Sequence, residues 1–172
     1  MATPKIGIAF GGGAARGWAH IGVLKALLNA GIQPHCISGT SIGAVVGGCF
    51  AAGQLDQLEA YALSLINGNR LGQTLQYALG ETVIEELELP FTAVATEIGT
   101  GHEVWLSRGS IVEALRASYA IPGVFRPVRF DGRWLFDGAL VNPIPVTVCR
   151  AMGAQYVIAV NLNADLFGLG TV

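Results

Sequence analysis

Twice within the first 52 residues a short apolar run breaks on glycine and gives way to a helical pattern. Lys5–Phe10 (KIGIAF) ends at Gly11-Gly12-Gly13. Ala14–Ala30 follows, with Trp18, Ile21, Val23, Leu24, Leu27 and Leu28 largely on one side, and Gly31 is placed to terminate that helix. Pro34–Ser38 (PHCIS) then turns through Gly39-Thr40-Ser41-Ile42-Gly43 into a second helix reaching about Ala52. Strand, helix, strand, helix in this order implies parallel strands joined by a right-handed crossover. An α/β fold is therefore expected, with both glycine turns at the carboxyl edge of the sheet.

The remainder continues in short elements. Leu55–Leu89 reads as helical with breaks at Asn67-Gly68 and Gly80, and Phe91–Glu97 and Glu103–Leu106 read as strands turning through Gly99-Thr100-Gly101. Ser110 with Glu113 has the spacing of a capping box for a helix over Ile111–Tyr119, which Pro122 ends. Asp131-Gly132 between Val128–Phe130 and Arg133–Phe136 signals a two-residue hairpin. A short helix after Pro143 and Pro145 leads into a buried strand at Gln155–Leu162. With no repeat or linker, the 172 residues are expected to form one domain.

Hydrophobic residues make up 52% of the chain and charged ones 13%, which excludes a disordered chain. Mean hydropathy is +0.52. Residues 26–55 lack charge, but polar residues and glycines interrupt them, so no apolar run reaches the roughly 18 residues of a membrane span. Ile6–Phe10 is too short for a signal-peptide core, and a cytoplasmic location is expected. A net charge of −2 argues against a nucleic-acid partner. The acids cluster between Asp56 and Glu103 and read as solvated helix faces. Cys36, Cys49 and Cys149 lack CxxC spacing and read as buried free thiols.

Three glycines between strand and helix leave amides that suit an anion, or else form only a tight turn. The spacing at 11, 13 and 17 misses the dinucleotide fingerprint by one residue, the first acid after it is Asp56, and no Gly-Lys-Ser/Thr is present. Gly39-Thr40-Ser41-Ile42-Gly43 is a GxSxG between strand and helix, the context of a nucleophile elbow. Such a serine needs a base. His20 and His35 read as structural and His102 as a solvated turn residue; Asp131 belongs to its hairpin. Asp137 closes the strand RWLF before Asn142-Pro143-Ile144-Pro145, and is either a turn cap or the base.

Gly-Gly-Gly-Ala-Ala-Arg-Gly (11–17), Gly-Thr-Ser-Ile-Gly (39–43) and Asp-Gly-Ala (137–139) together resemble the three signatures of the patatin-like phospholipase family. Ala-His-Ile-Gly-Val-Leu (19–24), Arg-Ala-Ser-Tyr-Ala-Ile-Pro-Gly (116–123) and Asn-Pro-Ile-Pro (142–145) extend the likeness along the chain, nearest the small bacterial members. The resemblance implies a three-layer α/β/α fold with a mainly parallel sheet and a lipid acyl hydrolase needing no cofactor or metal. It implies Ser41 as nucleophile, Asp137 as base, and Gly11, Gly12, Gly13 and Ala14 as the oxyanion hole. Arg16, Gly17, Gly39, Gly43 and Gly138 are the supporting motif positions. Members usually carry a longer stretch where Ala62–Arg70 is short here. A lipid or other ester is the expected partner, with peripheral membrane contact; Ile42, Val45, Ile121, Phe125 and Trp105 would line the acyl site. An acyltransferase with the same two residues, and a non-catalytic lipid- or protein-binding regulator, are the alternatives; nucleotide binding ranks behind both.

Overall fold

The computed structural model describes residues 4–63 and 71–163. β1 (Ile6–Phe10) passes through a 3-10 turn (Ala14–Trp18) into α1 (Ala19–Asn29), and β2 (Cys36–Thr40) passes into α2 (Ile42–Ala51). Next come α3 (Leu55–Leu63), α4 (Leu71–Leu79), β3 (Phe91–Glu97), β4 (Glu103–Leu106) and α5 (Ile111–Ser118). The chain closes with the hairpin β5 (Val128–Phe130) and β6 (Arg133–Asp137), then α6 (Val146–Ala151) and β7 (Tyr156–Val160). Within the described residues no helix is long and apolar enough to cross a membrane.

Local chemistry accounts for most boundaries. Gly31 takes a φ of 79° just past α1, the left-handed residue that ends a helix. Ser110 Oγ caps α5 by accepting from Glu113 N–H at 3.4 Å. Asp131 and Gly132 both have positive φ, 47° and 79°, as a type I′ hairpin turn requires.

Three expectations need correction. Gln155–Leu162 is not a buried strand, because β7 stands at the edge of the sheet and only Val160 of it is buried. The first helix does not run unbroken from Ala14: Ala14 has a φ of 46°, outside the helical region, and Ala14–Trp18 forms a 3-10 turn before α1 begins at Ala19. Glu81, Glu85, Glu86 and Glu88 are exposed, but on a 3-10 turn (Ile84–Glu86) and its flanking loops rather than on a helix face, with Ile84 anchored in the core. The expected break at Asn67-Gly68, and the short stretch Ala62–Arg70 from residue 64 on, lie outside the described residues.

The strands form one sheet in the order β5-β6-β3-β2-β1-β7, with β4 also on β3. β7, β1, β2 and β3 are parallel; β4 and β6 run antiparallel to β3. The main core joins Ile8 and Phe10 of β1 to α1, α2, α3, α4 and α5 on one face. α6 covers the other face through Cys149, packed with Ala9, Cys36 and Ala154. It approaches so closely that a Cβ on Gly7 would lie 3.0 Å from Cys149 Cβ. The result is a three-layer α/β/α domain.

The register around β3 positions the site. Val94 pairs with Thr40 of β2 and with Trp105 of β4, while Ala95 pairs with Val104 of β4 and Asp137 of β6. β4 therefore occupies one edge of β3. β2 and β6 share the other edge end to end, β2 leaving at Val94 and β6 arriving at Ala95. A strand has two edges and successive residues rise only about 3.3 Å, so Ser41, just past Thr40, abuts Asp137.

Candidate active site

Ser41 sits where β2 stops and α2 begins, with φ 57° and ψ −128°. Left-handed backbone at a non-glycine residue costs on the order of 1–3 kcal/mol and persists only where the surroundings enforce it. Here Ser118 holds the Ser41 amide and two glycines make room for the turn. A Cβ on Gly39 would meet Ala44 Cα at 2.4 Å, and one on Gly43 would meet Phe10 O at 2.4 Å. Glycine at both positions lets the elbow close against its own helix and against the end of β1. The side chain of Ser41 is 5% exposed and points from the positive end of α2.

Ser41 Oγ donates to Asp137 Oδ2 at 2.6 Å. The other carboxylate oxygen, Oδ1, accepts from Ala139 N–H at 2.8 Å, so the turn Gly138–Leu140 fixes the group's orientation. Gly138 is required there because a Cβ would fall 2.3 Å from Val94 O. Asp137 is 4% exposed. Burial pushes its carboxyl above the ordinary value of 3.8, against the opposing pull of the hydrogen bonds from Ser41 and Ala139. A buried carboxylate with a raised proton affinity is a better base than a solvated one.

The glycine turn meets the elbow from β1. Of the four amides expected to face an anion, two are engaged: Gly11 N–H donates to Val160 O at 3.0 Å and Gly12 N–H to Pro143 O at 2.9 Å. Among the described residues the N–H groups of Gly13 and Ala14 have no acceptor, so the available donors narrow to those two. A Cβ on Gly12 would make ordinary contact with Ala139 Cβ at 3.4 Å and Ser41 Cβ at 3.7 Å, so packing among the described residues does not require glycine there. Gly17 lets the turn pack on α2; its Cβ would lie 1.8 Å from Ile42 Cγ2. Arg16 donates to Asn163 Oδ1 at 2.8 Å, and Asn163 Nδ2 donates to Gly12 O at 3.1 Å, bracing the turn from the far side of β1.

Ser41 lies between two hollows. One, of about 340 Å³, contains Asp137, Gly13, Ala14, Arg16 and Asn163. The other, of about 180 Å³, is bounded by Trp18, Ile42, Leu71, Tyr119, Ile121 and Phe125. Ile42, Ile121 and Phe125 thus take the positions expected of lining residues. Val45 does not, being fully buried in the core, and neither does Trp105, which stands 45% exposed on β4 with its indole N–H donating to Glu103 at 2.6 Å.

His20 is fully buried; its Nε2–H donates to Gly11 O at 2.8 Å and its ring lies 4.9 Å from that of Phe10. Burial lowers its pKa below 6.5, keeping it neutral. It buttresses the glycine turn. His35 and His102 are exposed.

Several contributors went unassigned from sequence. Ser118 Oγ accepts Ser41 N–H at 2.9 Å and donates to Val94 O at 2.6 Å, plugging the nick between β2 and β6. Thr40 Oγ1 donates to Asn142 O and Thr96 Oγ1 to Asp137 O, both at 2.8 Å. Hydroxyls inside apolar strand runs, for Thr40 and Thr96, and at the end of an apolar helix face, for Ser118, were the available signal.

The mixed sheet carries a serine elbow, a glycine turn and a facing aspartate, and likeness to known proteins gives the family. The family model for patatin-like phospholipase matches residues 8–64 and 62–150. The chain belongs to the patatin-like phospholipase family. An uncharacterised NTE family protein of Mycobacterium bovis is 39% identical over 184 aligned residues, covering 96% of this chain and 51% of that protein. A protein of Mycosarcoma maydis named lysophospholipase NTE1 is 34% identical over 182 residues, covering 93% of this chain and 10% of that protein. The chain thus spans about half the length of the mycobacterial relative. The crystal structure of VipD from Legionella pneumophila superposes with a TM-score of 0.59 at 14% identity, over 83% of this chain and 47% of that one, a likeness of fold.

Proposed function

We propose that this chain hydrolyses carboxylic esters of lipids by acyl transfer through Ser41 and Asp137. The observation that carries the proposal is the 2.6 Å hydrogen bond from Ser41 Oγ to a buried aspartate held by its own turn. Ser41 Oγ gives its proton to Asp137 Oδ2 and attacks the ester carbonyl carbon. The resulting oxyanion accepts hydrogen bonds from Gly13 and Ala14 N–H. Collapse breaks the bond to the alcohol oxygen, which takes the proton from Asp137 and departs. A water then gives a proton to Asp137 and attacks the acyl-serine; the second collapse returns the proton to Ser41 Oγ and releases the fatty acid.

A lipid substrate is supported by the family and by the apolar slot beside Ser41. Peripheral contact with a lipid surface is supported by the exposed apolar side chains of Val124, Phe125 and Leu140, which stand on the turns bordering the two hollows. The test is incubation of a lipid extract with the wild type and with Ser41→Ala, followed by mass spectrometry. Free fatty acid and lysolipid should form only with the wild type. Transfer to an added alcohol in place of water would instead identify an acyltransferase.

A further inference from the structure

The two hollows beside Ser41 differ in one chemical respect. Asp137 borders the hollow that also holds Arg16 and Asn163, and it does not border the apolar slot. In an acyl transfer the group that protonates the departing alkoxide must lie beside the alcohol oxygen. The alcohol half of the ester therefore belongs in the hollow with Asp137, and the acyl half points the other way, into the slot.

The slot does not end at its own walls. Leu71, Tyr119 and Phe125 line it and also line a larger trough of about 940 Å³ between α4 and the α5–β5 segment. The trough has an apolar floor made by Tyr61, Leu71, Tyr119 and Val128, which are buried or half-buried. Its polar members, Gln73, Gln76, Arg116 and Arg126, are exposed at the rim. An apolar floor under a polar rim, adjoining the slot beside Ser41 across Leu71, Tyr119 and Phe125, suits a flexible hydrocarbon chain whose carbonyl end is held at Ser41.

We propose that the slot and trough form the acyl-chain subsite, so that chain-length preference is set on the α4 side of Ser41 while the alcohol group is read on the Asp137 side. This assignment rests on the acyl-transfer role given to Ser41. Gly72 of α4 is the residue through which it can be tested. It lines the trough, and among the described residues a Cβ built on it comes within 4 Å of the Tyr119 hydroxyl alone, at 3.5 Å. That is ordinary contact, so a larger side chain there would fill the trough without striking backbone.

The experiment uses two ester series: p-nitrophenyl esters with acyl chains from butyryl to palmitoyl, and butyrate esters of alcohols of rising length. With the wild type, kcat/KM should rise with acyl length by up to about fourfold per methylene while the chain still finds apolar surface. Gly72→Phe should lower the ratio of palmitoyl to butyryl kcat/KM at least tenfold; Gly72→Leu should move the cutoff to a longer chain than Gly72→Phe. Neither plug should shift the dependence on alcohol length. Alkyl fluorophosphonates of matching length should show the same ordering in labelling rate, which separates chain fit from substrate aggregation. An unchanged acyl profile in folded Gly72→Leu or Gly72→Phe overturns the assignment, as does a cutoff appearing in the alcohol series. Butyryl hydrolysis that persists in Ser41→Ala removes the nucleophile instead, a result distinct from either profile.

Discussion

Ser118 holds Ser41 by its backbone: the hydroxyl oxygen of Ser118 receives the elbow N–H at 2.9 Å while its proton goes to Val94 O. Neither partner has an alternative strand to bond, since β2 has ended and β6 has just begun on that edge. Ser118→Ala leaves a buried N–H and a buried carbonyl unpaired, a loss of about 1–3 kcal/mol per group. The expected result is a clearly lower melting temperature together with a kcat reduced roughly tenfold to hundredfold, because the nucleophile loses its fixed geometry. A variant with wild-type kcat would show that the elbow is held without Ser118.

Replacing the proposed reacting groups should separate activity from stability. Ser41→Ala should lower kcat on the order of 10⁴-fold or more, and abolish labelling by a fluorophosphonate. Asp137→Asn should remove the base, with a loss on the order of 10²–10⁴-fold, yet melt no lower than the wild type at neutral pH. The sign follows from burial. The folded pKa of Asp137 is raised above 3.8, so the protonated acid is the form the fold favours. Its stabilising contribution is complete below 3.8 and is lost as pH climbs through the folded value. Melting curves of the two proteins should therefore diverge in favour of Asp137→Asn as pH rises from about 3.8 toward 7.

The same carboxyl should govern the acid side of the rate profile. A limb in kcat/KM is expected above 3.8, reflecting protonation of Asp137 in the free enzyme. His102 is exposed in a turn, so His102→Ala should reproduce the wild-type limb unchanged. A limb that moves with the histidine would reassign the base.

Glycine at 43 is a packing requirement. A methyl group there would press on Phe10 O at 2.4 Å and Gly11 O at 2.5 Å, both backbone atoms without room to retreat. Gly43→Ala should destabilise by about 3 kcal/mol or more, and the loss should appear as an earlier denaturant midpoint. Gly22, where a Cβ would meet nothing within 4 Å among the described residues, serves as the control: Gly22→Ala in α1 should be neutral or slightly stabilising.

Val124 is 68% exposed on the turn that carries Phe125 into the slot, but lines neither hollow itself. Val124→Asp should weaken binding to phospholipid vesicles in a flotation assay several-fold. Hydrolysis of a soluble short-chain ester should be unaffected. Equal vesicle binding by both proteins would remove this turn from the lipid contact.

What could be read from the sequence was local or motif-sized. The elbow at Ser41, the Asp131-Gly132 turn and the α/β alternation each depend on a few neighbouring residues. The lining was harder, because Ile42–Cys49 is buried throughout and periodicity cannot say which of its side chains faces a hollow. Val45 was lost that way. Trp105 was misplaced because an edge strand offers its aromatic residues to solvent as readily as to a core. The engaged amides of Gly11 and Gly12 depend on Val160 and Pro143, more than 130 residues away, and no local pattern encodes such partners.

Two strands meeting tip to tip along β3 have a consequence for biosynthesis. The hydroxyl emerges from the ribosome long before its partner, and until the hairpin ending at Asp137 has annealed to residue 95, the nascent polypeptide holds a serine with no proton acceptor. With Asp137 as the proposed base, ester cleavage waits on the annealing of this hairpin to β3, and half-made or frayed molecules carry an idle hydroxyl.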